Sequence, residues 1–161
     1  MPLLDIIYKR RSIRQYRSKT VPEEVLKNIL EAGRLAPSAD NAQPWHFIVV
    51  TDAEIKRKLS KGAWRRFIKD SAFTIAGCGE RNRKWSAVEV AIALQNMVLA
   101  AEAQGLGSCW VGAFEEEEVK RLLNIPETLK VIALISFGYP AEKPGPQYRK
   151  ELQSIVHFNR F

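Results

Sequence analysis

Leu3, Leu4, Ile6 and Ile7 recur at helical spacing behind Pro2, which predicts a short helix over Pro2 to Lys9. A clearer amphipathic helix opens at Val21-Pro22-Glu23-Glu24 and lays Val25, Leu26, Ile29 and Leu30 on one face; Gly33 or the Ala36-Pro37 pair is expected to end it. The run PSADNAQPW, Pro37 to Trp45, has a loop composition. His46 to Val50 then reads as a short β-branched strand, Asp52 as the cap of a helix reaching about Lys61, and Ala72 to Cys78 as a second strand. SCWVGAF supplies a third strand ending near Gly112, and Glu115 to Leu123 a helix whose leading glutamates suit its positive N-terminus. Leu129 to Phe137 is the strongest strand signal, closed by GYP; Ala141 to Tyr148 is a loop, and IVHF near the end offers a last short strand.

One segment breaks the amphipathic pattern. Trp85 to Gln104, WSAVEVAIALQNMVLAAEAQ, is apolar on nearly every side, interrupted mainly by Glu89, Gln95, Asn96 and Glu102, and it stops at Gly105 and Gly107. Those four polar side chains break the ~20 consecutive apolar residues that a membrane span needs. Such a helix requires cover on all sides, from its own domain and from a second subunit, so burial in a dimer is expected. With no repeat and no linker, the pattern describes one α+β domain over residues 1–161, a central sheet of about four strands with helices around it.

Composition narrows the function classes. A chain of 161 residues buries roughly two thirds of its unfolded surface, enough for one sizeable core. The formal charge of +7 favours an acidic ligand without choosing between nucleic acid, membrane surface and a small phosphorylated molecule. Cys78 and Cys109 stand far apart, in no metal or CxxC spacing; both read as small core residues in a reducing, cytoplasmic setting. The N-terminus carries Asp5 within its apolar run and no cleavage site, so no signal peptide is expected.

The usual catalytic motifs are missing. GLGSCWVG follows a helix instead of a strand, and GCGERN places Asn82 where a dinucleotide turn needs its third glycine. His46 and His157 sit in apolar strand-like runs and read as structural histidines; neither a nucleophile elbow nor a metal-ligand cluster appears, so no metal and no catalytic side chain is expected. The basic residues fall in separate groups that match no nucleic-acid module. The group RRSIRQY is harder to dismiss. Extended, it would point Arg10, Ser12, Arg14 and Tyr16 one way and Arg11, Ile13 and Gln15 the other. Guanidinium is preferred where a phosphate or carbonyl is recognised by charge-assisted hydrogen bonds.

RRSIRQY, PSADNAQPWHF, VEVAIALQNMVLAAEAQGLGSCWVGAF, ALISFGYP and RKELQSIVHFNRF follow in an order and spacing that resembles the FMN-dependent nitroreductase family, over nearly the whole chain. The resemblance implies a three-layer α+β fold with a mostly antiparallel central sheet, and an intertwined homodimer with two FMN sites at the subunit interface. By the same resemblance Arg10, Arg11, Ser12 and Arg14 form the first FMN-binding segment, Arg10 and Ser12 at the phosphate and Arg14 near flavin N1 and O2. Arg149 and Lys150 complete the phosphate site. Pro37, Ser38, Ala39, Asn41 and Gln43 match the loop that the partner lays along the isoalloxazine ring, and Val111, Gly112 and Ala113 the strand end approaching it. Arg65 or Arg66 is the candidate for a polar side chain near flavin O2.

A fixed guanidinium beside N1 and O2 stabilises the negative charge of reduced flavin, and that step needs no protein acid, base or nucleophile. The implied reaction is a ping-pong transfer from NAD(P)H through FMN to a small-molecule acceptor such as a nitroaromatic or quinone, with no nucleic-acid or membrane partner. Few residues connect Gly79 to Trp85, where longer relatives carry elements over the substrate, so an open site is expected. Flavin destruction, reductive dehalogenation, flavin carriage without turnover and a basic nucleic-acid-associated domain are the alternatives.

Overall fold

The computed structural model describes residues 2–161. Four strands, β1 (Trp45–Val50), β2 (Phe73–Glu80), β3 (Gly107–Val111) and β4 (Leu129–Gly138), form one antiparallel sheet in the order β1-β2-β4-β3. Five helices accompany them: α1 (Leu3–Lys9), α2 (Glu23–Arg34), α3 (Ala53–Leu59), α4 (Ser86–Ala103) and α5 (Glu116–Leu123). The strands alternate apolar residues to both faces. Ile75, Ala133, Ile135 and Phe137 meet Ile29 of α2 and Val90, Leu94 and Met97 of α4. Ala76, Cys78, Val131 and Leu134 meet Leu59 of α3 and Val119 of α5 on the other side. The result is the expected three-layer α+β arrangement, with a helical layer on each sheet face.

Gly33 does not end α2. It lies inside the helix, buried, where an added Cβ would come within 2.1 Å of the Met97 Cε, so it marks the close crossing of α2 and α4. Gly105, at φ +78°, turns the chain out of α4, whereas Gly107 is already the first residue of β3. By length and composition α4 is long and apolar enough to cross a membrane, a test that the core helix of a globular protein also passes. Here one side, with Val90, Leu94 and Val98, is core, while Val88 and Ile92 on the other remain 52% and 38% exposed.

IVHF is not a strand. After Pro140 the chain carries only a 3-10 turn at Leu152–Ser154, and residues 145–161 are exposed throughout. A strand needs a partner backbone, and at the β3 edge that place is taken by Ser12, which makes a parallel bridge to Ser108.

Candidate functional site

The arginine segment is held by its backbone and by its apolar residues. The Arg10 N–H donates to Ile6 at 2.9 Å as α1 ends, and the chain leaves the helix extended. Ile13 is buried against Gly107, and its N–H donates to the Ser108 carbonyl at 2.9 Å. The Tyr16 hydroxyl lies 2.7 Å from both the Ile13 carbonyl and Ser136 Oγ, and burial pushes its pKa up, which keeps it a neutral hydrogen-bonding anchor. One carboxylate oxygen of Glu142 accepts the N–H groups of Arg14 and Gln15. With the backbone so occupied, Arg10, Ser12 and Arg14 line a cleft of about 660 Å³ together with Arg149. Glu142 is its single acid, and no carboxylate among the described residues forms an ion pair with Arg10, Arg14 or Arg149. Converging guanidinium groups without carboxylate partners suit a dianionic phosphate.

Arg11 lines the same cleft in a different role. Its Nη1 donates to the Tyr8 and Arg10 carbonyls, each at 2.8 Å, and its Nε to Gly145 at 3.2 Å. It braces the cleft wall against the post-β4 loop, so strict alternation along the extended segment does not keep Arg11 out of the cleft. Lys150 is exposed and is not among the lining residues, so of the late basic pair only Arg149 reaches the cleft within one chain.

A smaller hollow, about 360 Å³, lies where β3 ends at Gly112 and Ala113, with Arg65 and Trp64 on its rim. Val111 turns its side chain into the core and does not line the hollow, which begins at the next residue, Gly112. A Cβ added to Gly112 would meet nothing within 4 Å, leaving the backbone open to a flat ligand. Arg65 is 7% exposed; it donates to the Lys61 carbonyl and, from Nη2, to Glu118 at 3.1 Å, while its Nη1 is buried without a hydrogen-bond partner. Arg66 is exposed. On the cleft side, the Arg14 guanidinium lies 6.0 Å from the Phe67 ring centroid.

The loop Pro37–Gln43 is the third piece. Asp40, Asn41 and Gln43 all have left-handed φ near +50°, a costly conformation for non-glycine residues, least so for Asn and Asp. Ser38 stabilises it, its hydroxyl accepting the Gln43 N–H at 2.9 Å. Glu89, 4% exposed on α4, accepts the Ala39 N–H at 2.7 Å. Its other oxygen pairs with Arg83 at 3.3 Å, and Arg83 returns a bond to the Ala39 carbonyl at 2.9 Å. In the sequence Glu89 is a polar interruption of an apolar helix, and that interruption is its one local signal.

One chain does not bring the three pieces together, since none of residues 37–43 lines either hollow. The histidines differ from expectation. His46 is exposed on edge strand β1, and His157 is exposed in the tail, its ring stacked 4.1 Å from Phe161. Both lie outside the core because an edge strand and an unpaired tail have little core to offer. Among the described residues, no three His, Cys, Asp or Glu gather to hold a metal.

Comparison with known proteins adds to this geometry. The model of the nitroreductase family matches residues 7–74 and 64–139. A protein of Methanothermobacter thermautotrophicus, provisionally named NADH dehydrogenase/NAD(P)H nitroreductase, is 38% identical over 155 residues, covering 90% of this chain and 81% of its own. The structure of an FMN-dependent nitroreductase from Clostridium difficile R20291 superposes with a TM-score of 0.88 at 33% identity, covering 98% of this chain and 99% of that one. An NADPH:FMN oxidoreductase from Vibrio harveyi, solved in complex with NAD+, superposes at 0.92 with 26% identity, covering 99% and 77%. With a matching arrangement of sheet and helices and a family match spanning most of the chain, this protein belongs to the nitroreductase family.

Proposed function

We propose that the protein is an NAD(P)H-dependent FMN oxidoreductase that acts as a homodimer. The carrying observation is the cleft in which Arg10, Ser12, Arg14 and Arg149 converge with no carboxylate paired to any of the arginines. The residues present fit FMN: the cleft suits its phosphate, and Gly112 leaves open backbone where its ring would lie. The chemistry FMN supplies when bound is two-electron transfer from a reduced pyridine nucleotide to an acceptor, for which a nitroaromatic or quinone is the proposed class.

In this reading Arg10, Ser12 and Arg149 hold the phosphate. Arg14 places a permanent positive charge at the pyrimidine side of the ring, which favours the reduced, negatively charged flavin. Gly112 and Ala113 admit the ring edge, and Pro37, Ser38, Asn41 and Gln43 of the partner chain close the other side. Arg65 is committed to Glu118 and Lys61, so its free Nη1 is the one group it has to offer a carbonyl. Two-electron transfer needs no protein nucleophile, in keeping with a site built from cations and backbone.

Purified protein reconstituted with FMN is expected to be yellow, to lose that colour anaerobically with NADH or NADPH, and to regain it on adding a nitroaromatic or quinone. A protein that takes up no FMN, or whose bound FMN neither nucleotide reduces, would overturn the proposal.

A further inference from the structure

Ala39 is exposed, yet both polar groups of its backbone are tied to a buried ion pair. Its N–H donates to Glu89 Oε1 at 2.7 Å and its carbonyl accepts from Arg83 Nη2 at 2.9 Å; Arg83 Nε and Glu89 Oε2 are 3.3 Å apart. The Glu89 side chain is 5% exposed and that of Arg83 27%. A carboxylate so deeply placed is tolerated only when it is paired and hydrogen-bonded, and here its partners are Arg83 and one loop peptide. The loop beyond that peptide is strained, with left-handed backbone at the non-glycine residues Asp40, Asn41 and Gln43. Left-handed geometry persists where surroundings over-determine it: within the loop the Gln43 and Asn41 N–H groups donate to Ser38 and the Ala42 N–H to the Ala39 carbonyl at 3.1 Å, while Glu89 and Arg83 tie Ala39 to the body of the protein.

We infer that Glu89 and Arg83 form a clamp on the Ala39 peptide that holds the loop Pro37–Gln43 in the conformation it presents to the flavin ring of the partner chain. Both are positioning residues: neither lines the arginine cleft or the hollow at Gly112. The inference rests on the proposed flavin function for its consequence and on the hydrogen-bond ring alone for its structural content. Glu89 reaches the loop from the first turn of α4, next to the exposed Val88. The loop is therefore indexed to the core helix whose uncovered side is offered to the second subunit.

The test uses the full-length protein in apo and FMN-loaded forms. Amide hydrogen exchange in the apo protein is expected to show Ala39 protected, and at least tenfold less so in Glu89→Ala and Arg83→Ala. Both variants are expected to raise the Kd for FMN about tenfold and to shift the visible band of the bound flavin. Acting on one peptide, they are expected to be non-additive, so the double variant costs no more than the worse single one. Glu89→Gln keeps an acceptor for the Ala39 N–H and is expected to recover most of the exchange protection. Should Glu89→Ala not fold, Arg83→Ala, at the half-exposed end of the pair, carries the test. Unchanged exchange at Ala39, FMN affinity within twofold of the parent, or additive losses in the double variant would overturn the clamp. A parent protein that binds no FMN would instead sink the proposed function, leaving the exchange measurements to judge the clamp.

Discussion

At the scale of single residues, permanent charge and open backbone do the work assigned to this site. Arg14→Ala is expected to weaken FMN binding about tenfold and to lower the midpoint potential of the bound flavin, because in the proposed binding mode the reduced form loses the cation at its pyrimidine side; spectroelectrochemistry reads this directly. Gly112 offers a sharper discrimination. An added side chain meets no protein atom, so Gly112→Val is expected to leave the melting temperature of the apo protein within about 2 °C of the parent and yet abolish flavin binding. A variant that still binds FMN would remove Gly112 from the site. Cys78 makes a prediction of another kind. Burial pushes its thiol up to about 12 from an ordinary value of 9.0, so above pH 9 the unfolded chain releases a proton that the folded chain keeps. Stability supplied by this group is complete below pH 9 and is lost as pH rises towards 12, by up to about 1.4 kcal/mol per pH unit. Lys56, whose pKa burial lowers, acts in the opposite sense, so urea midpoints of the parent and Cys78→Val are to be compared; the variant is expected to fall less steeply between pH 8 and 10.

At the scale of elements, the arginine segment is positioned by its contact with β3. An added Cβ at Gly107 would come within 2.4 Å of Ile13 Cγ1 and 2.7 Å of its Cβ, atoms of a β-branched side chain with little room to turn. Gly107→Ala is therefore expected to cost about 1–3 kcal/mol of stability in denaturant titrations. It is also expected to weaken FMN binding, because Ser12 and Arg14 shift with Ile13. The roles of Gly33 and Gly107 were opaque to pattern reading for the same reason: both look like helix punctuation in one dimension, and both prove to be points where two elements touch. Glu89 is similar, since its partner Ala39 is 50 residues away in sequence.

At the scale of the whole molecule, a single chain leaves a good deal of apolar surface uncovered. Val88 and Ile92 on α4, and Leu152, Ile155 and Phe158 in the tail, are all exposed. Their exposure fits the reading of a second copy lying across α4 with its tail exchanged, which would also carry residues 37–43 to the arginine cleft. Sedimentation is expected to give a dimer. Ile92→Asp is expected to shift it to monomer at micromolar concentration and to release FMN even though residue 92 touches neither hollow. A monomeric variant that retains its flavin would show that one chain suffices.

The sequence by itself determined the elements and favoured an acidic ligand. Periodicity located five helices and four strands, because core-facing positions must be apolar whatever the topology, and the density of arginine in RRSIRQY singled it out as the candidate anion site. Tertiary structure alone decided which arginines are available. Arg11 is spent on three carbonyls and Arg65 on Glu118 and Lys61, whereas Arg10, Arg14 and Arg149, the last with one bond to its neighbour's carbonyl, line one cleft without a carboxylate partner. It also decided that IVHF stays out of the sheet, and that Glu89 grips a distant loop. Those outcomes depend on partners remote in sequence, and hydrogen bonds and ion pairs are properties of pairs, which no local pattern contains.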